Sequence, residues 1–547
     1  MKKALALGLS AAMCCTVLAG CGTPPVVSNP QTCSVFVYRA GFGISWLEKL
    51  AANFNKMYEE EGYTVIIEKE GTSQPSDIQL PKRNKTDLYF TTNSVVNGFV
   101  DMSRTIYRDN DTLLLEDFTE LVNSRAINGN KEEEGKTIYE RLQQKQYFET
   151  YATYTGLIEK WQGIYFGLPW ANAPTGVFVN VKALEEATNG EYSEANLPKT
   201  TDDFVRITEL SRDRNKQVSA NEKIYANVYA GTDAWGYWSY LYNALQAQYS
   251  GIEAYYDFYS CTPKEGTLKD NGWSVYEDPA ILKALEVMED LIHDMDAPAG
   301  SSTKDIIAAQ DCLYTGEAVY MVNGNWMYNE MANMYEEIGQ DDLMDDVIMV
   351  RTPVISALGT KLGISEETLK DIIDLVDAEE KTDAEIAQQC NTTEAVVAEI
   401  RAARSIYFSL AQNFNIAIPS YADGKEVAKL FVRYMLSDEG MLIYAQETNS
   451  SLPYEWTNEP EQLQGEKFFQ SVKKVVNASD ATMIDENFNA TIRSVNGLNT
   501  FAKIGNGAYL WPRLAEGGIT SAEKVFSEQL EFVKENWDKY CRTAQIF

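Results

Sequence analysis

Five tryptophans stand beside residues that interrupt regular backbone. Trp170 follows Pro169, Trp326 follows Gly324-Asn325, and Trp46 comes just after Gly41-Phe42-Gly43. Trp235 lies in the turn Gly231-Thr232-Asp233-Ala234-Trp235-Gly236, and Trp511 sits between Gly505-Asn506-Gly507 and Pro512. Proline lacks an N–H and biases the residue before it toward extended geometry, and small residues leave a neighbouring ring uncovered. A ring held at such a point, with Asn172 and Thr175 close by, suits a polar ligand that also has apolar faces. The competing reading is plain packing. It applies above all to Ile224–Cys261, where Tyr and Trp recur at helical spacing.

Catalytic chemistry finds less material. The chain has one histidine, His293, in an apolar-periodic helical stretch, which disfavours a His-dependent triad and a His-rich metal site. No G-x-S-x-G, Walker loop or strand–helix G-x-G-x-x-G occurs. Asp109-Asn110-Asp111 opens like a calcium loop, but Leu113 stands where an oxygen ligand is required. Paired carboxylates of the glycosidase kind remain formally open, with none marked by its surroundings. The expectation is a binding protein with no catalytic residue, no cofactor and no metal.

The elements that would position these side chains alternate. Cys33–Tyr38, Val65–Glu68 and Asp87–Phe90 are β-branched and aromatic, and Ser45-Trp46-Leu47-Glu48 begins a helix in the pattern of a capping box. Strand, helix, strand alternation predicts a parallel α/β sheet with ligands beyond the carboxyl ends of its strands. That places Arg39, Trp46 and Asn93 near one mouth. The stretch Gly163–Ala187 then passes an aromatic strand, a break at Leu168-Pro169-Trp170, a second strand at Val177–Val181 and a helix start, as a crossing between structural units would.

The order G-L-P-W-A, G-V-F-V-N-V-K-A-L-E-E-A and Leu197-Pro198-Lys199-Thr200-Thr201 resembles the extracellular carbohydrate-binding proteins of ABC importers, the family 1 solute-binding proteins of the maltose-binding type. A second block, Gly316–Trp326, is similar to that family's strand, Gly turn and helix-opening Trp, and a third, Leu436–Pro453, to its last crossing. The resemblance implies a two-lobed periplasmic-binding-protein-like α/β fold with three hinge crossings, near Trp170, Arg351 and Pro453. It divides the chain into a first lobe, 33–170 and 352–452, and a second, 171–351 and 453–547. It also implies a carbohydrate, an oligosaccharide in the first instance, held by Arg39, Trp46, Asn93, Trp170, Asn172, Trp235, Asn325, Trp326 and Trp511. Delivery to an ABC permease by a monomer follows from the same likeness. The rival from another class is a surface glycan-capture lipoprotein without a transporter.

The start of the chain gives an address. Met1-Lys2-Lys3 and the apolar Ala4–Leu18 form a signal peptide, residues 1–20, too short in its apolar run to span a bilayer. Leu18-Ala19-Gly20-Cys21 resembles a lipobox, which makes Cys21 the acylated, palmitate-bearing anchor, followed by a Pro-rich tether at 21–32. The expected location is the extracytoplasmic face of the cell membrane. Five cysteines follow the anchor, an odd number without CxxC spacing, so neither a disulfide framework nor a zinc site is indicated. A formal charge of −33 repels nucleic acid and anionic headgroups.

One segment stands apart. Leu362–Arg404 is helical, with capping boxes at Thr382/Glu385 and Asn391/Glu394, and its two helical units look like a DNA-reading helix-turn-helix. Four basic against eleven acidic residues exclude that use, since a DNA reader needs a basic footprint. It is expected to be an insertion, 362–404, that packs as a small helical cap and contributes little to ligand binding.

Overall fold

The computed structural model describes residues 29–39, 41–71, 85–92, 96, 98–100, 102–103, 112–143, 159–232, 235–411, 414–460, 467–478, 480–486, 511–515 and 520–544. The signal peptide, Cys21, the first part of the tether and the 109–111 stretch lie outside the described residues, as do Asn93 and 505–507.

Two sheets organise these residues. Strands β1 (Thr32–Tyr38), β2 (Thr64–Gly71) and β3 (Leu88–Thr92) pair in parallel, with Val35 opposite Leu88 and Phe36 opposite Tyr89. A two-residue hairpin, β4 (Ile127–Asn128) and β5 (Lys131–Glu132), stands alone. The first sheet is completed by β6 (Leu168–Pro169) and, much later in the chain, β12 (Phe414–Ala417), in the order β2-β1-β3-β12-β6. The second contains β7 (Pro174–Asn180), β8 (Tyr225–Asn227), β9 (Ala318–Gly324), β11 (Ile406–Ser409) and β13 (Thr482–Ile484), in the order β13-β11-β7-β9-β8, with β10 (Val347–Met349) also on β7. Every residue of β7 and β9 is buried, which is why both read as near-continuous apolar runs.

Caps written in the sequence fix several helix starts. Asn180 accepts from the Ala183 amide at the start of the helix Val181–Ala187, and its amide donates to the Leu313 carbonyl at 2.9 Å. Asp278 caps Pro279–Leu291 with proline at its first turn, and Thr382/Glu385 form a full capping box. Two expected boxes differ. Ser45 is already helical, with Ile44 as the uncapped N-terminal neighbour of Ser45–Met57. Asn391 adopts a left-handed φ of 51°, and Thr393 caps the next helix instead.

The acidic insertion is the main correction to the sequence division. Its helices Glu366–Asp377, Asp383–Gln389 and Glu394–Ser405 bury Leu369, Ile372, Ile373, Val376, Ile386, Val397 and Ile400 in one core with Trp238 and Leu241 of the second lobe. Lys370 pairs with Asp203 at 2.5 Å, and the buried Arg404 with Asp377 at 2.7 Å. Arg351 bonds both Asp377 and Asp480. The segment is therefore built into the second lobe, not the first, and β11 hydrogen-bonds to β7 and β13 beside it. The chain returns to the first sheet between β11 and β12, not near Arg351. Acidity misled here because the outer faces carry the charge while a helical period carries the core.

Candidate functional site

Three connections between the sheets run side by side. They lie between β6 and β7, between β11 and β12, and after the helix Asp438–Thr448. The Asn172 amide donates to the Ser451 carbonyl at 2.9 Å, and the Leu410 amide to the Ala173 carbonyl at 2.9 Å. Asn325, fully buried at the end of β9, donates its side-chain amide to the Ser450 hydroxyl at 2.7 Å and to the Asn172 carbonyl at 3.3 Å. Asn329, one turn later, donates to the Thr448 carbonyl. The two candidate asparagines thus sit where the crossings are tied together. Asn172 is tied through its backbone amide and carbonyl and Asn325 through its side-chain amide, while the Asn325 side-chain carbonyl, Oδ1, has no hydrogen-bond partner among the described residues.

The carboxyl ends of β1 and β9 meet across the boundary between the lobes. After β1 the chain turns through Gly41, with φ +76°, and a side-chain carbon there would stand 2.9 Å from Trp326 Cβ and 2.8 Å from Glu330 Oε1. Only glycine accommodates both that φ and that approach. Trp326 itself folds back over Gly324, whose missing side chain makes room for the ring. Glycine here does not break the strand so that a ring can project; it admits a ring lying flat on the backbone.

Trp326 begins a strip of rings on the second lobe. Tyr237 meets it edge-on at 6.0 Å, Tyr240 stacks on Tyr237 at 5.2 Å, and Phe408 stacks on Tyr240 at 5.4 Å. Tyr237 and Tyr240 are half-buried and pack against the first lobe's core cluster, which Trp326 joins. Sequence reading passed over these two tyrosines as packing residues in an aromatic-rich helix. Their i, i+3 spacing at the start of Trp238–Ser250 was the available signal.

The remaining candidates are dispersed. Trp46 and Trp170 are fully buried and stack on each other at 5.7 Å and 18°. Phe90, Phe414 and Tyr444 surround them, and the Trp170 indole N–H donates to the Thr91 carbonyl at 3.0 Å. They form the first lobe's core and do not face a cleft. Trp511 is likewise buried, in the second lobe, opening a short helix against Tyr242 and Ser239. Pro512 follows it inside that helix, where proline is tolerated in the first turn, so no exposed loop results. Arg39 is exposed just past β1. Trp235 opens a one-turn 3-10 helix, Trp235–Tyr237, and its ring lies outside the described residues. His293 is half-buried just beyond the helix Pro279–Leu291, and among the described residues no cluster of metal-ligating side chains occurs.

Aromatic rings at strand carboxyl ends, beside adjacent chain crossings, are the arrangement from which two lobes can part and close over a small polar molecule. Comparison with known proteins agrees on the architecture. No curated protein matches the sequence. Among solved structures, the chain is similar to a chitin oligosaccharide binding protein (13% identity, 92% of this chain and 98% of that one, TM-score 0.54). It is also similar to the solute-binding protein RafE in complex with raffinose (14% identity, 93% and 99%, TM-score 0.53). A third is the GacH receptor of Streptomyces glaucescens, solved unliganded and with acarbose (13% identity, 93% and 99%, TM-score 0.51). The family model for bacterial extracellular solute-binding proteins matches residues 43–442, and the chain belongs to that family.

Proposed function

We propose that this chain captures a carbohydrate, in the first instance an oligosaccharide, between its lobes and hands it to the permease of an ABC importer. The observation that carries the reading is the strip Trp326–Tyr237–Tyr240, whose Trp326 abuts the Gly41 turn just past β1. Rings cover the C–H faces of a sugar, and neighbouring polar groups satisfy its hydroxyls. Arg39 and Trp326 stay in this reading as ligand contacts, Tyr237 and Tyr240 join them, and Asn93 and the Trp235 ring are its extensions. Relatives of the same fold that bind chitin oligosaccharide, raffinose or acarbose support the ligand class.

Cys21 holds the protein, as a monomer, on the extracytoplasmic face of the membrane in this proposal, because small residues precede a cysteine after an apolar run. Cys21→Ala should release the protein from the membrane fraction or block its processing; unchanged fractionation and N-terminal mass sink the anchor. A glycan array followed by thermal-shift titration of the full chain tests the ligand. Saturable binding of an oligosaccharide supports capture, and failure of every glycan to shift the melting temperature overturns it. Co-purification with permease subunits separates importer delivery from surface capture alone.

A further inference from the structure

One edge of β7 is filled by two segments that are remote in the chain, while β9 covers the other edge. Val347–Met349 pairs with Asn180–Phe178, and the Val350 amide donates to the Val177 carbonyl at 3.0 Å. Further along the same edge Phe408 and Ser409 pair with Thr175 and Pro174, and the Leu410 amide donates to the Ala173 carbonyl. Both segments run antiparallel to β7, so β10 and β11 stand as two halves of one strand. The chain leaves that line after Val350 and rejoins it at Ile406. The helical insertion is thus spliced into the strand that feeds the crossing between β11 and β12.

Ion pairs close the split. Arg404 is buried two residues before β11, and its Nε and Nη2 donate to the Asp377 carboxylate at 3.0 and 2.7 Å. Its Nη1 donates to the Thr352 carbonyl at 3.0 Å, which ties the return of the chain to its exit. Arg351, directly after Val350, donates to Asp377 at 2.8 Å and to Asp480 at 3.0 Å, and Asp480 stands two residues before β13. β13 pairs in parallel with β11, with Ile484 opposite Phe408. One carboxylate at the end of the helix Glu366–Asp377 therefore joins the end of β10 to the start of β11 and, through Arg351, to the approach of β13. Apolar side chains of similar volume would often hold a core as well. What a bidentate arginine–carboxylate pair adds is direction. Direction matters for β11, because its Phe408 stacks on Tyr240 at 5.4 Å and 20°, the ring that leads through Tyr237 to Trp326.

We infer that Asp377, Arg351 and Arg404 are positioning residues of the ligand site, setting the Tyr240 ring through β11 and Phe408. This rests on the carbohydrate reading above and deepens it. It gives the insertion a part in binding that its acidity and separate caps do not suggest.

The test uses the oligosaccharide that binds the full chain best on the array, with calorimetry run where melting shows each variant folded. Asp377→Asn should weaken that sugar about two- to thirtyfold, the range over which residues remote from a ligand modulate its binding. Arg351→Lys keeps the charge but loses the fork that reaches Asp377 and Asp480 together. It should weaken binding by a smaller factor, and it decides the matter if Asp377→Asn does not fold. Lys370→Gln cuts a different tie of the insertion, to Asp203, and should leave affinity within about twofold of wild type. Phe408→Leu should itself weaken the sugar, because Tyr240 loses its backing ring. Adding Asp377→Asn to that chain should then cost no more than about a further twofold, since both changes act through one ring. Wild-type affinity in both Asp377→Asn and Arg351→Lys overturns the positioning role and leaves carbohydrate capture standing. Equal weakening by Lys370→Gln also overturns it, because a generally softened lobe would then be the cause. So does an Asp377→Asn effect undiminished in the Phe408→Leu chain. A wild-type chain that binds no carbohydrate overturns both readings.

Discussion

Two groups of aromatic rings look alike in the sequence and differ in kind. Trp46 and Trp170 stack in the first lobe and are enclosed by Phe42, Phe90, Phe414 and Tyr444, side chains of their own lobe. Trp326, Tyr237 and Tyr240 belong to the second lobe but press against the first. The difference is the identity of the neighbours, not the ring type or its burial, since Trp326 is only 6% exposed as well. Rings packed within one lobe stay covered whenever the lobes separate. Rings packed across the boundary would be uncovered by the same motion, which is what the proposed carbohydrate site requires of them.

The largest expected effect breaks the first group. Trp170→Ala should cost about 3–5 kcal/mol in urea unfolding, the range for emptying a large buried aromatic site, while folded protein binds its sugar within about threefold of wild type. A variant that melts like wild type but fails to bind would return Trp170 to the cleft. Trp326→Ala should show the reverse pattern. Loss of apolar contact on the order of 1.5–3 kcal/mol would appear as at least a roughly tenfold weaker affinity by calorimetry, with a smaller change in stability.

The insertion offers a third way to sharpen the comparison, because its ties are electrostatic as well as apolar. Burial alone would raise the Asp377 carboxyl, but Arg404 and Arg351 more than offset it and hold it below the usual carboxylate range. A depressed folded-state value means that this contribution is complete above the unfolded value of about 3.9 and is lost as pH falls through the lower folded value. Asp377→Asn should therefore destabilise the chain at neutral pH by roughly 1–3 kcal/mol, discounted from the fully buried case because the carboxylate is partly exposed. Its stability should also fall less steeply than wild type below about pH 4, which denaturant melts across pH 3–7 would measure. An unchanged acid slope would mean that the triad contributes nothing. The smallest effect is expected at the crossings. Asn325→Ala removes two hydrogen bonds and should cost about 1–2 kcal/mol, with small-angle scattering of the ligand-free chain shifting toward a more open shape; an unchanged profile would argue against a hinge role.

Much of the fold was legible in the chain itself. The run Cys33–Tyr38, the cap at Asp278 and the breaks at Pro169 and Pro174 act within a few residues, so they read correctly without knowledge of distant partners. The same holds for the ordered blocks that mark a two-lobed solute-binding protein. Which ring faces which neighbour is another matter. Trp46 and Trp170 follow turn residues just as Trp326 does, yet β12, contributed from residues 414–417, brings Phe414 against Trp170 and closes that site. The insertion's place was hidden for the same reason: Lys370 and Asp203 are distant in the chain, and only the folded second lobe brings them to 2.5 Å. Local backbone preference and apolar period are properties of neighbouring residues, so the sequence determined the elements and their ends. Burial and partnership depend on contacts between remote segments, and these the tertiary structure decided.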